Sequence, residues 1–141
     1  MNLPYAEDIG HYWQTGQSSP DAWIARIRQV IEDLDGKVLA EGYGSVEGHS
    51  AYMLAFRIKD NEFKVVWPVL PTKCGKIESA KRQAAILLYH DIKAKTMTAS
   101  VLGTKIVFFS YLILPDGRAA DELASPELSE GFPLQLRSGE I

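Results

Sequence analysis

Residues 50–70 read SAYMLAFRIKDNEFKVVWPVL. Side chains alternate between the two faces of a strand, so Tyr52, Leu54, Phe56 and Ile58 share one face, and Phe63, Val65, Trp67 and Val69 share another. Asp60-Asn61 between them is a pair suited to a tight hairpin. The pattern predicts two adjoining strands, about 50–59 and 62–70. Pro68 cannot donate to a ladder, which marks an edge position or the fraying end of its strand.

Upstream, Glu47-Gly48 forms a second turn and leads back to an earlier strand at about 37–45. Gly42-Tyr43-Gly44 inside it reads as a bulge rather than a phosphate cradle, because no helix follows. Before that strand, Ser19 is suited to cap a helix, Pro20 to open it and Asp21 to face its positive end. Trp23, Ile24, Ile27, Val30, Ile31 and Leu34 then recur at helical spacing, and Gly36 offers a left-handed stop. Residues 1–18 carry Tyr5, Ile9, Tyr12 and Trp13 among polar residues, consistent with a short helix packed on the body.

Downstream, a loop at 71–76 precedes a long helix at about 77–102, ended by Gly103. Its stripe is Ala80, Ala84, Leu87, Leu88 and Ile92, with Ala85 and Ala99 small enough for close packing. Thr96, Thr98 and Ser100 lower helix propensity and point to a break or bend near Thr96. The run 105–114 is apolar on both faces and reads as a fourth strand, central or covered on its outer side. Pro115-Asp116-Gly117-Arg118 is a turn signal, and 119–128 reads as a short helix. The predicted fold is α+β, a single domain in the order α-β-β-β-α-β. Its four-stranded sheet, antiparallel or mixed, carries helices packed on one face. Its parts are an N-terminal extension at 1–18, an α+β core at 19–118 and an acidic segment at 119–141.

At 141 residues, 46% of them apolar and 23% charged, the chain is large enough to build a core without staples. The one cysteine, Cys74, allows no internal disulfide, which fits a reducing compartment. The first residues form no secretory signal, and no apolar run approaches the roughly 20 residues of a membrane helix. The expectation is a cytoplasmic protein with no membrane partner.

Net charge is −3 but unevenly spread. Residues 73–105 hold seven basic side chains against Glu78 and Asp91, whereas 116–141 hold six acids against two arginines. Lys73, Lys76, Lys81 and Arg82 gather at the start of the long helix, where the helix end already favours anions. Phosphate contacts from these four, assisted by His49 from the hairpin, make DNA or RNA the expected partner, with binding independent of sequence and sensitive to salt. The alternative is a homo-oligomeric assembly protein that uses both faces of 105–114 with Trp67 and Trp13.

An enzyme ranks below both. His90-Asp91 is no preformed dyad, because adjacent helix residues diverge by about 100°. Cys74, flanked by Lys73 and Lys76, has no histidine base at a recognisable spacing. His11, His49 and His90 make no metal-binding pattern, and no nucleotide-binding loop is present, so no cofactor is expected. A catalytic site would have to be built from distant groups such as Glu41, His49, Arg57 and His90.

The order helix, three strands, helix from Ser19 to Leu102 resembles the double-stranded-RNA-binding-domain fold. Ala80-Lys81-Arg82-Gln83-Ala84-Ala85 is similar to the run that opens that family's second helix, and Gly48-His49 to its hairpin turn. The resemblance implies recognition of RNA by shape and phosphate. Ile77 and Glu78 stand where the family carries paired lysines, and Trp67-Pro68 where it carries Gly-x-Gly. Hairpins followed by a long helix also resemble single-strand-annealing recombination proteins, which bind DNA as rings.

Overall fold

The computed structural model describes residues 2–108 and 111–113. A short α1 (Ala6–Ile9) is followed by α2 (Pro20–Asp33). The strands β1 (Gly36–Val46), β2 (His49–Ile58) and β3 (Asn61–Val69) come next, then α3 (Ile77–Leu102) and a single-turn α4 (Thr104–Val107). The strands form an antiparallel meander in the order β1-β2-β3.

The start of α2 follows from its first three residues. The Ser19 hydroxyl accepts from the Ala22 N–H at 3.1 Å, and Pro20 occupies the first turn, where no N–H is needed. Its end differs from expectation. The left-handed residue is Asp35, at φ +58°, and not Gly36. Gly36 serves close packing instead, since a Cβ there would stand 2.7 Å from Ile31 Cγ2. The first hairpin turns on Glu47 and Gly48, both at positive φ, as a two-residue loop matching the strand twist requires. The second turns on Lys59-Asp60, one residue earlier than expected, with Ile58 facing Asn61. The bulge of β1 lies between Val38 and Ala40, while Gly42, Tyr43 and Gly44 pair in regular register with Met53, Tyr52 and Ala51.

The helices pack on the face that carries Leu54, Phe56 and Ile58. Ile27, Val30 and Ile31 of α2, Phe63 and Val65 of β3, and Leu88 and Ile92 of α3 complete this core. Each such fully buried side chain stabilises the fold by roughly 1.5–3 kcal/mol before its ordering cost. A second cluster joins Tyr52 and Val69 to Ala80, Ala84 and Ala85, whose small side chains let α3 approach the sheet, and to Ala6 of α1. The helix α3 runs unbroken past Thr96. Thr96, Thr98 and Ser100 bond back onto the carbonyls of Lys93, Ala94 and Met97, which satisfies their hydroxyls within the helix.

The expected fourth strand at 105–114 is not formed among the described residues of that range. Gly103, at φ +91°, redirects the chain into α4, and Phe108 and Tyr111 pack into the core beside Phe56 and Phe63. Leu112 bridges to the sheet opposite Phe63, and the Ile113 N–H donates to the Glu62 carbonyl at 2.9 Å. The sheet is therefore three-stranded among the described residues, and Pro68 stands both on an edge strand and near that strand's end, the two positions that suit it. The turn at 115–118, the helix at 119–128 and the acidic segment 119–141 lie outside the described residues. No helix among the described residues is long and apolar enough to cross a membrane.

Candidate nucleic-acid interface

The loop 71–76 delivers the chain from β3 to α3, and α1 is clamped across it. The Ala6 N–H donates to the Pro71 carbonyl at 2.8 Å. Both carboxylate oxygens of Glu7 accept from the Lys73 N–H, at 2.8 and 3.1 Å, and one also accepts from the Cys74 N–H at 3.0 Å. Desolvation in this contact pulls the Glu7 pKa upward, but the amide donors outweigh it and hold the carboxyl down at about 2. The Lys73 ammonium lies 2.7 Å from Asp8, which raises its pKa, and 5.4 Å from the centre of the Tyr5 ring. The amides and the ammonium that the sequence offers to phosphate at this loop are thus already matched by Glu7 and Asp8.

Arg82 is also engaged within the fold. Its Nε donates to the Ser18 carbonyl at 2.9 Å. Beside it, the buried Gln83 Nε2 donates to the carbonyls of Ala6 and His11. The residues between Tyr5 and Ser18 are stitched to α3 by these bonds, a role that sequence spacing does not reveal.

The remaining lysines stand differently. Lys76 is the N-cap residue of α3 and makes no side-chain cap. Lys81 holds its ammonium 4.3 Å from the centre of the Tyr43 ring, a cation–π distance. Tyr43 is 40% exposed on β1, and its ring lies 5.2 Å from that of Tyr52, its cross-strand partner. Tyr43, Ser45, Ser50, Thr72, Gly75 and Ile77 line a groove of about 350 Å³ between the β1–β2 hairpin and the start of α3. Ile77, 61% exposed, is an apolar wall of that groove. His49 does not line this groove. It lines an adjoining hollow with Asn2 and Leu3 that shares Gly48, Val69 and Pro71 with the groove, and strand alternation turns it away from its neighbour Ser50. Of the five residues expected to form the site, Lys76 is the chain neighbour of the groove residues Gly75 and Ile77, Lys81 lies over the ring of the groove residue Tyr43, Lys73 and Arg82 contact the N-terminal segment, and His49 lines the adjoining hollow.

Tyr43 was not among the residues expected at the site, yet the signal was present. A two-residue turn at Glu47-Gly48 pairs Val46 with His49, and counting back along that register sets Tyr43 opposite Tyr52. Tyr43 also walls a second cavity, of about 220 Å³, with Asp21 and Ile24 of α2, Glu41 of β1, Tyr52 and Leu54 of β2, and Leu88 of α3. The Tyr52 hydroxyl is buried without a hydrogen-bond partner. Burial, and then the Asp21 and Glu78 carboxylates, raise the pKa of this phenol above its ordinary value.

The distant groups considered for catalysis do not converge. Glu41 pairs with Arg28, Arg57 pairs with Glu62 at 2.7 Å, and His90 stacks on Tyr12 with ring centres 5.0 Å apart. Asp91, next to His90, turns instead to Lys95 and Tyr111. Cys74 is exposed. Among the described residues no group of three or more His, Cys, Asp or Glu side chains could hold a metal ion. No protein-family model matches the chain, and no curated protein or solved structure matches it either.

Proposed function

We propose that this protein binds nucleic acid without catalysing a reaction, and that a single strand is its preferred form. The observation that carries this reading is the Lys81 ammonium over the exposed Tyr43 ring at the edge of the groove. Non-specific single-strand binding combines cations that track the backbone with aromatic faces on which bases stack, and this end of the molecule supplies both. Lys76 adds a second cation beside the groove wall formed by Gly75 and Ile77. A duplex buries its base faces, so an aromatic platform gains nothing from it.

The test is a titration of labelled single-stranded DNA, duplex DNA and duplex RNA at low and moderate salt. The single strand should bind best, and affinity should fall as salt rises. Tyr43→Ala should weaken binding by about 1–3 kcal/mol for a stacked base. Lys76→Ala with Lys81→Ala should weaken it further, and Arg82→Ala, which loosens the N-terminal segment, should leave it close to wild type. Absence of binding at low salt overturns the reading.

A second reading, self-association, is favoured by the end of α3. Met97, Val101 and Leu102 are exposed there, Val101 to 81%. The half-buried Trp67 and Trp13 pack against the core clusters instead.

A further inference from the structure

We infer that the cavity between α2, β1 and β2 receives a nucleobase bearing an exocyclic amino group, carried by the strand whose phosphates lie beside Lys76 and Lys81; this rests on the nucleic-acid reading above. Tyr43 lines both spaces, and the Lys81 ammonium lies over its ring, so the groove and the cavity adjoin at this residue. A nucleotide reaching around that ring would leave its phosphate on the lysine side and its base on the other.

The cavity suits a flat ring system. At about 220 Å³ it is smaller than a pocket for a drug-sized ligand, and Ile24, Leu54 and Leu88 give it apolar walls. Its polar groups are mostly acceptors. Asp21 lies in the first turn of α2, and Glu41 is held in place by Arg28. An ionised carboxylate can only accept, so a ligand here must bring N–H donors. Tyr52, a residue of this wall, is 6% exposed, and its hydroxyl is buried without a hydrogen-bond partner. Burial and the nearby carboxylates keep that hydroxyl protonated. The same carboxylates repel phosphate, which sets the orientation: base toward Asp21, phosphate toward Lys81. Adenine, cytosine and guanine offer an exocyclic amino group, whereas thymine and uracil offer a single imide N–H flanked by two carbonyls, which the carboxylates repel.

Cytosine and uracil provide the cleanest comparison, because they are nearly isosteric and differ by an amino group against a carbonyl at C4, with the donor at N3 moving the other way. Oligodeoxycytidine and oligodeoxyuridine of equal length should be titrated against wild type, Asp21→Asn, Tyr52→Phe and Lys81→Ala at one low salt concentration. Wild type should prefer the cytidine strand by about tenfold, as expected for base-edge hydrogen bonds. Asp21→Asn is a substitution at an exposed position, and Tyr52→Phe removes only the hydroxyl. Each should lower that preference and leave the uridine strand nearly unaffected. Lys81→Ala should weaken both strands alike. Equal binding of the two strands by wild type, or a preference untouched in both cavity variants, overturns the inference while the nucleic-acid reading stands. Binding of cytidine monophosphate without binding of either strand overturns it in favour of a free nucleotide. If neither strand nor the mononucleotide binds, both the inference and the reading on which it rests fall.

Discussion

Gly36 and Gly42 lie six residues apart on β1, and their surroundings set opposite expectations. An added Cβ at Gly36 would meet Ile31 Cγ2 at 2.7 Å and the Ile31 carbonyl oxygen at 2.8 Å, and the backbone atom cannot swing aside. Gly36→Ala should therefore destabilise the protein by about 1–3 kcal/mol in a urea titration. At Gly42 nothing stands within 4 Å of the added atom, so Gly42→Ala should stay within about 0.5 kcal/mol of wild type. Sequence shows a glycine just past the helix, but a left-handed stop and a close approach demand the same residue for different reasons. Only the position of Ile31 separates them. Lys73 and Arg82 teach a similar lesson. Their partners Asp8 and Ser18 lie 65 and 64 residues away, beyond the reach of any spacing rule.

Among the elements, α2, α3 and the three strands were legible because each carries its own period and its own punctuation. The apolar run after Gly103 carries neither, and a short unbroken apolar stretch cannot separate a strand from a buried turn of helix. The short α1 matters beyond its length, because Glu7 makes it a clasp on the loop before α3. The folded state holds the Glu7 carboxyl at about 2, below its ordinary 4.5, so the clasp contributes stability above pH 4.5. That contribution is lost as pH falls from 4.5 toward 2. An acid titration followed by circular dichroism should show wild type losing stability over this interval more steeply than Glu7→Gln, which has no such charge to lose. Identical acid profiles for the two proteins would show that the clasp adds nothing.

At the scale of the whole molecule, the two ends of α3 present different surfaces. Its first turns carry Lys76 and Lys81 beside the groove, and its last turns expose Met97, Val101 and Leu102. A cluster of large apolar side chains left in water favours association. Light scattering should report a mass above the 15.7 kDa of one chain, and Val101→Lys should return it to that value. A monomer at every working concentration would remove self-association as a reading. The two tight turns of the meander bear on how this arrangement is reached. Neighbouring strands joined by two-residue loops pair within microseconds, since little chain must be closed. The two main helices end and begin at Asp33 and Ile77, with the whole sheet between them, so their docking is a long-range event that follows more slowly. A nascent chain therefore passes through an interval in which the meander exists and its face of Leu54, Phe56 and Ile58 is bare, and that interval is when aggregation competes with folding.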